Sequence, residues 1–329
     1  MNKPRITILM AVYNAAKTIS DCIESILNQT YQDFQVLIVN DCSTDNTVEI
    51  IERFGSNKIE VLHFDEKGFI KALNTGLDKC RTEYICRMDA DDIMFKTKLE
   101  EQICYMDSHP EIAASGTYIE VFGKYSKIWK RFSPNDEQCR RNIFWFSTIQ
   151  NPSSIIRNSV IKEHNIRYKR EYAFIDGDKD YALAEDYKFW YDLSRVGKLS
   201  NLPKVLLKYR IHPSQASTRK KRIQDIVANK IRREALMDFL RDQGLEFQSI
   251  NWSTDKSSVF EKVKQIKVAK IDQWHLAMTK YMLIQSTKEI GFFEFLKLVF
   301  SSNFIFDRNS PELCVKMIKS KFGNERSML

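Results

Sequence analysis

Apolar runs alternate with amphipathic segments along the first hundred residues of the chain. The continuous runs, ITILMAV and QVLIV among them, are typical of strands buried on both faces, and they predict strands at residues 6–12, 35–39, 59–63 and 83–88. The segments between them carry apolar residues at helical spacing and predict helices at residues 16–28, 43–54, 69–79 and 96–108. This alternation favours a Rossmann-like, mostly parallel sheet flanked by helices.

The pattern changes twice further along the chain. Shorter strands are predicted at residues 114–122 and 154–157 and a helix at 186–196, whereas the sequence after Ser217 reads as helical and basic. From Ala216 onward Lys and Arg number 21 and Asp and Glu 13, which accounts for the whole net charge of +8. We therefore predict two domains, an α/β domain at residues 1–215 and a basic, mainly helical region at 216–329.

Composition narrows the class of protein. Hydrophobic residues make up 43% and charged residues 29% of the chain, as in globular proteins. The seven cysteines form no CxxC pair, and the N-terminal residues lack the apolar segment of a signal peptide. No run approaches the roughly 20 uncharged residues of a membrane span. These features predict reduced thiols and a cytoplasmic location.

Polar residues follow several predicted strands. Asn14, Asp41 and the sequence DADD at residues 89–92 come directly after strands, and in parallel sheets such positions meet in one crevice. The Asp41 carboxylate can accept hydrogen bonds from a base or a ribose. Alternatively, Asp41 and Ser43 only form the turn and cap the next helix.

The DADD sequence places three carboxylates within four positions. Such carboxylates repel one another unless a cation lies among them, and Mg²⁺ and Mn²⁺ prefer oxygen ligands. Asp89 and Asp91 are therefore candidates for a ribose and a metal-bound diphosphate, with Asp92 as a cap of the following helix. A solvated acidic turn is the alternative.

Two later segments carry further candidate groups. Glu185 and Asp186 open a predicted helix, where acidic residues are favoured by the helix dipole alone but where a carboxylate can also act as a general base. Arg210, His212 and Ser217 form a cationic and polar set suited to a diphosphate or a metal, although an Arg-x-His pair alone does not define such a site. Neither GxGxxG after the first strand nor GxxxxGK[ST] is present, so a dinucleotide-binding fold and a P-loop are not supported.

Taken in order, these segments resemble the bacterial family-2 glycosyltransferases with a GT-A fold. The resemblance covers residues 4–217 and is carried by five segments, ITILMAVYNAAKTISDCIESILNQTYQDFQVLIVNDCSTDNT, KGFIKALNTGLDKCRTEYICRMDADD, NPSSIIRNSVI, AEDYKFWYDL and YRIHPSQAS. It implies inverting transfer of a hexose or N-acetylhexosamine from a nucleotide-diphosphate sugar, preferably a UDP-sugar, with Mn²⁺ or Mg²⁺ as cofactor. The acceptor that it implies is a hydroxyl of a growing bacterial surface glycan, such as a capsule, O-antigen or lipooligosaccharide.

The resemblance also implies roles for individual residues. Asp186 is the general base and Glu185 shapes the acceptor site beside it. Asp91 is the better metal ligand, with Asp89 and His212 as further ligands. The implied nucleotide-sugar site consists of Ala11, Tyr13, Asn14, Asp41, Ser43, Lys71, Asn74, Asp89, Ala90, Asp91, Arg210 and Ser217.

The sequence departs from the family pattern at two places. Cys42 stands where a glycine is usual, which implies a less strained turn. The glycine-rich turn expected before the Glu-Asp pair is replaced by the longer and more charged REYAFIDGDKDYALAED.

The basic C-terminal region raises the question of a partner. KEIGFFEFLKLVFSSNFIF at residues 288–306 is either a packed helix or an amphipathic membrane-surface segment, and RKKR at 219–222 suits an anionic leaflet. The family resemblance implies lipid-linked oligosaccharide acceptors at the cytoplasmic face of the inner membrane, and we therefore predict peripheral contact of residues 219–329 with that face. No nucleic-acid motif is recognised. A non-catalytic sugar-nucleotide-binding scaffold and a Mg²⁺-dependent phosphohydrolase are the alternative functions.

Overall fold

The computed structural model describes residues 3–130, 132–144, 146–177, 179–212 and 221–242. The strands in these residues are β1 (Ile6–Val12), β2 (Phe34–Asn40), β3 (Ile59–His63), β4 (Tyr84–Arg87), β5 (Ile93–Met94), β6 (Ile112–Gly123), β7 (Lys127–Trp129), β8 (Ile155–Arg157), β9 (Phe174–Asp176), β10 (Lys179–Tyr181) and β11 (Lys198–Ile211). The helices are α1 (Ile19–Leu27), α2 (Thr47–Arg53), α3 (Phe69–Lys79), α4 (Lys98–Ser108), α5 (Asp136–Asn142), α6 (Asn158–Glu163), α7 (Glu185–Val196) and α8 (Lys221–Asp242).

A nine-stranded sheet organises the described part of the chain. Its strand order is β3-β2-β1-β4-β8-β6-β11-β5, and β7 pairs with β6 outside this path. β3, β2, β1 and β4 run parallel, as the strand–helix alternation predicted, and β11 runs parallel to β6. β8, β5 and β7 pair antiparallel. A separate hairpin joins β9 to β10.

The continuous apolar character of β1 follows from its place in the sheet. β1 lies between β2 and β4, and Ile6, Ile8 and Met10 on one face and Leu9 on the other are all fully buried. Helix α3 approaches the Leu9 face so closely that a Cβ atom on Gly76 would lie 2.3 Å from Leu9 Cδ1. A glycine is therefore required where this helix crosses the sheet.

Several predictions about the whole chain can be compared with this structure. The six cysteines of the described part are free thiols, and four of them are buried. Within the same residues, no helix is both long and apolar enough to cross a membrane. The chain divides into Met1–Arg232 and Arg233–Leu329, and the domain boundary predicted after residue 215 stays a prediction. Ser217 and the segment 288–306 lie outside the described residues.

Candidate active site

The turns that follow β1 and β2 are joined by hydrogen bonds. The backbone N–H of Asn14 donates to Ser43 Oγ (3.1 Å), and Asn14 Oδ1 accepts from the backbone N–H of Thr44 (2.8 Å). Asn14 holds this position with a φ of 50°, a left-handed conformation that asparagine tolerates better than most residues. Asn14 and Ser43 therefore fix the two strand ends relative to each other, next to Ala11, which pairs with Val39 in the sheet.

The turn after β2 corrects one expectation from the sequence. Cys42 adopts a φ of +58°, in the region where an L-residue with a side chain is strained. The expectation that a cysteine here means a less strained turn is therefore wrong. The Cys42 thiol donates a hydrogen bond to the backbone carbonyl of Phe64 (2.9 Å), which supports the conformation.

Asp41 is almost fully buried at the end of β2. Its Oδ1 accepts a hydrogen bond from the backbone N–H of Gly68 (2.6 Å), so it holds the start of α3 against the strand end. Burial raises the pKa of this carboxyl, while the bond from Gly68 and the charge of Lys67 oppose the rise. Asp41 therefore does not cap α2, whose N-cap is Asn46, and the alternative that it only forms the turn and caps the next helix is wrong.

The Lys67 side chain lies close to the rings of two tyrosines, Tyr13 and Tyr181. Lys67 Nζ lies 3.1 Å from the ring centroid of Tyr13 and 4.4 Å from that of Tyr181. Tyr13 is 43% exposed, so part of its ring is available to a ligand. Sequence analysis missed Lys67 and Tyr181, because they belong to a loop and a hairpin without a repeating pattern.

Lys71 and Asn74 occupy different environments on α3. Lys71 is exposed, with Nζ 5.4 Å from the ring centroid of Phe64. The Asn74 amide exchanges two hydrogen bonds with the backbone of Tyr168, at 2.9 and 3.0 Å. The structure therefore gives Asn74 a structural contact and leaves Lys71 at the surface.

The three aspartates after β4 differ sharply in exposure. The side chains of Asp89 and Asp91 are 39% and 26% exposed, whereas Asp92 is fully buried. Asp92 Oδ1 accepts the backbone N–H of Arg210 (2.8 Å), and α4 has Thr97 as its N-cap. The suggestion that Asp92 caps the next helix is therefore wrong. Its real partner, on β11, could not be identified from the local sequence.

The crowded aspartates after β4 also influence one another's pKa values. Burial, followed by the charges of Asp91 and Asp89, raises the pKa of Asp92 well above its usual value. Desolvation is also the first cause for Asp89, whose pKa rises to about 6 under the further influence of Asp91 and Asp186 and against the opposing charge of Arg87. The influence of Asp186 on Asp89 indicates that α7 and the end of β4 border the same site.

The end of β11 brings two predicted residues onto this cluster. Arg210 Nε donates to the backbone carbonyl of Asp91 (2.8 Å), and Arg210 also pairs with Asp21 at 3.4 Å. His212 Nε2 lies 3.0 Å from Asp91 Oδ2. Two side chains more than a hundred residues away in sequence therefore contact Asp91, Arg210 at the backbone carbonyl and His212 at the carboxylate.

The side chains of Asp91 and His212 can be compared with the ligands that a divalent cation requires. Among the residues that the structure describes, no group of three or more His, Cys, Asp or Glu side chains is placed to hold a metal. Asp91 and His212 nevertheless offer an oxygen and a nitrogen donor, both partly exposed. Two protein ligands fit a cation of the Mg²⁺ or Mn²⁺ type if substrate phosphate oxygens complete its coordination.

Glu185 and Asp186 begin α7, as predicted, and their environments differ. Glu185 is buried, and its Oε2 accepts the backbone N–H of Leu183 (2.6 Å). Burial and the neighbouring Asp186 charge raise the pKa of Glu185 to about 8. Asp186 is only partly buried, and desolvation raises its pKa to about 6. At neutral pH, Glu185 is therefore mainly protonated and Asp186 mainly ionised.

The buried Arg87, which was not identified from the sequence, acts on both Asp89 and Asp186. Arg87 is 1% exposed, donates to the backbone carbonyl of Leu9, and lies 3.6 Å from Asp89 Oδ1. Its charge lowers the pKa of both Asp89 and Asp186. A charged residue inside the apolar run YICRM was the signal that could have identified it.

Comparison with known proteins gives consistent results. The family model "Glycosyl transferase family 2" matches residues 7–166. An uncharacterized glycosyltransferase of Haemophilus influenzae is 32% identical over 298 residues, covering 86% of this chain and 89% of its own. The amylovoran biosynthesis glycosyltransferase AmsE of Erwinia amylovora is 28% identical over 221 residues, covering 65% of this chain and 79% of its own.

Solved structures share the fold at low identity. TarS of S. aureus, residues 1–349, in complex with UDP-GlcNAc has a TM-score of 0.60 and 20% identity, over 86% of this chain and 81% of that one. The mannosyltransferase PcManGT of Pyrobaculum calidifontis, in complex with GDP-Man and Mn²⁺, has a TM-score of 0.52 and 13% identity, over 96% of this chain and 85% of that one.

Proposed function

Because the chain belongs to glycosyl transferase family 2 and has the GT-A fold, we propose that it transfers a hexose or N-acetylhexosamine from a UDP-sugar to a hydroxyl of a bacterial surface glycan, with inversion. The observation that carries the proposal is the meeting of Arg210 and His212 with Asp91. A cation and a carboxylate at the carboxyl ends of the strands suit a diphosphate leaving group.

The nucleotide half of the donor is assigned to the ends of β1 and β2. The exposed face of Tyr13 offers a stacking surface for a base, and Asp41 offers a carboxylate oxygen to a base N–H or a ribose hydroxyl. Lys67 adds a positive charge beside them. UDP-GlcNAc bound to TarS supports a uridine nucleotide. Because PcManGT binds GDP-Man, a guanosine nucleotide is the alternative, and its binding to this chain would contradict the assignment.

The diphosphate is assigned to Asp91, His212 and Arg210, with Asp89 at the ribose or the cation. A divalent cation held by Asp91 and His212 would, when bound, offset the negative charge that develops on the leaving group. Arg210 acts in the same sense through its guanidinium, which Asp91 and Asp21 orient. Mn²⁺ in the PcManGT complex supports this assignment.

Asp186 is assigned as the general base. An oxygen lone pair of the acceptor hydroxyl forms the bond to the anomeric carbon while the bond from that carbon to the phosphate oxygen breaks. The nucleoside diphosphate leaves with the electron pair, and the ionised Asp186 takes the hydroxyl proton. Glu185, which is mainly protonated at neutral pH, borders the acceptor site without competing for that proton.

The acceptor and the location of the enzyme are assigned from a relative and from the sequence. The relative AmsE belongs to amylovoran biosynthesis, which supports a polysaccharide acceptor. The sequence resemblance implies that such acceptors are extended at the cytoplasmic face of the membrane, and we place the enzyme there, with residues 219–329 as one membrane contact. Family membership supports glycosyl transfer over the scaffold and phosphohydrolase alternatives.

A thermal-shift panel of UDP-, GDP- and dTDP-sugars, each with and without Mn²⁺, tests the donor and the cation together. A bound donor stabilises the folded chain by about 2.7 kcal/mol at a hundredfold excess over its Kd. We expect a shift with UDP-sugars that requires Mn²⁺, is lost in Asp91→Ala and persists in the control Asp33→Ala, whose aspartate is exposed. A Mn²⁺-dependent shift with GDP-sugars alone would contradict the UDP assignment, and the absence of any shift would contradict the proposed site.

A further inference from the structure

A basic hairpin with exposed apolar side chains projects from the sheet at the end of β6. Residues 123–130 (GKYSKIWK) run from the last residue of β6 through the turn and β7, and Tyr125 and Ile128 are 46% and 49% exposed. The exposed lysines Lys124, Lys127 and Lys130 alternate with them. No acidic residue occurs between positions 121 and 135 of the sequence, so the hairpin is purely cationic.

The sheet explains why these side chains face outward. In the described part of the chain β7 pairs only with β6, so it is an edge strand. Trp129 is directed inward, 6.3 Å between ring centroids from Tyr209, and the alternation of a strand therefore directs Ile128 to the opposite face. Glu120 is the cross-strand partner of Ile128. The exposed isoleucine and tyrosine thus have no evident role in the core.

The hairpin starts beside the candidate active site. Gly123 pairs with Ile211, and the backbone N–H of Lys124 donates to the Ile211 carbonyl (3.2 Å). The next residue, His212, contacts Asp91. A Cβ atom on Gly123, whose φ is +99°, would lie 2.5 Å from the Ile211 carbonyl oxygen, so the glycine allows this close approach.

We infer that this hairpin docks on an anionic lipid bilayer. Lysines close to a surface of anionic lipids gain electrostatic attraction, and their aliphatic stems extend along the interface. Tyrosine is favoured at the boundary between headgroups and acyl chains, and isoleucine gains by burial there. Because an acidic polysaccharide would attract the lysines but offer little for the exposed isoleucine, the combination of side chains favours a bilayer.

The inference goes beyond the proposed function, since bilayer binding requires neither donor nor catalysis. It rests on the proposed function only in one consequence, which is that docking would hold the diphosphate site next to the membrane surface. An acceptor carried on a lipid would then meet the donor without leaving the bilayer.

Co-sedimentation of the full chain with lipid vesicles tests the inference. The vesicles are phosphatidylcholine alone or phosphatidylcholine mixed with phosphatidylglycerol. The variants are Lys124→Gln with Lys127→Gln, and Tyr125→Ser with Ile128→Ser. The matched controls remove two exposed lysines (Lys79→Gln with Lys162→Gln) or one exposed isoleucine (Ile175→Ser) elsewhere.

We expect binding only to the vesicles that contain phosphatidylglycerol. The lysine variant should bind them roughly thirtyfold more weakly, which corresponds to about 1 kcal/mol for each lysine removed. The variant Tyr125→Ser with Ile128→Ser should bind them about tenfold more weakly, because it loses the burial of two apolar side chains at the interface. The control variants should bind like the unmodified chain, and all variants should keep the thermal shift with donor. A failure of docking is in this way separated from a failure of the proposed function.

Three results would overturn the inference. The first is an unmodified chain that does not sediment with anionic vesicles. The second is hairpin variants that bind as well as the controls, which would assign any membrane contact to another part of the chain, such as residues 219–329. The third is hairpin variants that keep vesicle binding but lose binding to dextran sulfate, which would identify an acidic glycan as the partner.

Discussion

At the residue scale, Glu185 and Asp186 are neighbours with different protonation states. The buried Glu185 has its pKa raised to about 8, whereas the partly exposed Asp186 titrates at about 6. A general base must be ionised at the working pH and still basic enough to accept a proton. Asp186 meets both requirements at neutral pH, and Glu185 meets only the second.

Replacement of Asp186 by Asn tests this difference. Because asparagine cannot accept the hydroxyl proton, we expect Asp186→Asn to lower kcat by roughly 10²- to 10⁴-fold. In the unmodified chain, kcat should rise with pH through about 6 as Asp186 ionises. Steady-state kinetics over pH, together with the thermal shift on donor, are the measurements.

Donor binding distinguishes a catalytic effect from a structural one. Asp186→Asn should keep the Mn²⁺-dependent thermal shift nearly unchanged, and Asp33→Asn should keep both the shift and kcat. A variant at position 186 that retains transfer, or that loses donor binding, would contradict the role of Asp186 as base.

At the scale of elements, the close approach of α3 to β1 is possible because Gly76 has no Cβ atom. Any side chain at position 76 must displace Leu9, which is fully buried in the sheet. Overpacking of this kind typically costs about 1–3 kcal/mol, more than the better helix propensity of alanine returns.

We therefore expect Gly76→Ala to lower the free energy of unfolding by about 1–2 kcal/mol. The exposed helix variant Lys79→Ala serves as the control and should change stability by less than about 0.5 kcal/mol. Urea denaturation followed by circular dichroism measures both. Equal or higher stability of Gly76→Ala would mean that α3 can move away from β1 at little cost.

Some helices and strands could be predicted from the sequence and others could not. β1, β3 and α3 have their predicted limits, because continuous apolar runs and a clear change of period mark them. The fourteen-residue β11 was not predicted, since its lysines and Pro203 disguise a strand whose position is set by pairing with β6. The β9–β10 hairpin was missed in the same way, within a charged segment that gives no period-two pattern.

The candidate site, like the fold, could be predicted from the sequence only in part. Its acidic groups after β4 and at the start of α7 stand out in sequence because they interrupt apolar patterns. The buried Arg87 and the Lys67 between two tyrosines could not be assigned, since their partners come from distant elements. Asp92 was misassigned for the same reason, because its partner Arg210 is 118 positions away.

At the scale of the whole molecule, the carboxyls with raised pKa link stability to pH. A carboxyl whose folded pKa lies above its unfolded value stabilises the fold below the unfolded pKa, and this contribution is lost as pH rises through the folded pKa. For Asp186 and Glu185 that window extends from about 4 to about 8. The buried Glu185 contributes the larger part.

We predict that the unfolding midpoint in urea decreases between pH 5 and pH 8 and that Glu185→Gln decreases less. Glutamine keeps an oxygen that accepts the Leu183 N–H and carries no charge to desolvate. At pH 8 the variant should be more stable than the unmodified chain by on the order of 2 kcal/mol. Parallel pH profiles for the two chains would show that Glu185 ionises without cost.

The contact of His212 with Asp91 spans 121 positions, and it has a consequence for biosynthesis on the ribosome. While the nascent chain ends before β11, the acidic turn after β4 has neither Arg210 nor His212 beside it. Pairings of such long sequence separation also form late in folding, because loop closure must precede them. The four parallel strands can therefore assemble during translation, whereas a complete diphosphate site can exist only after residue 212 has left the exit tunnel.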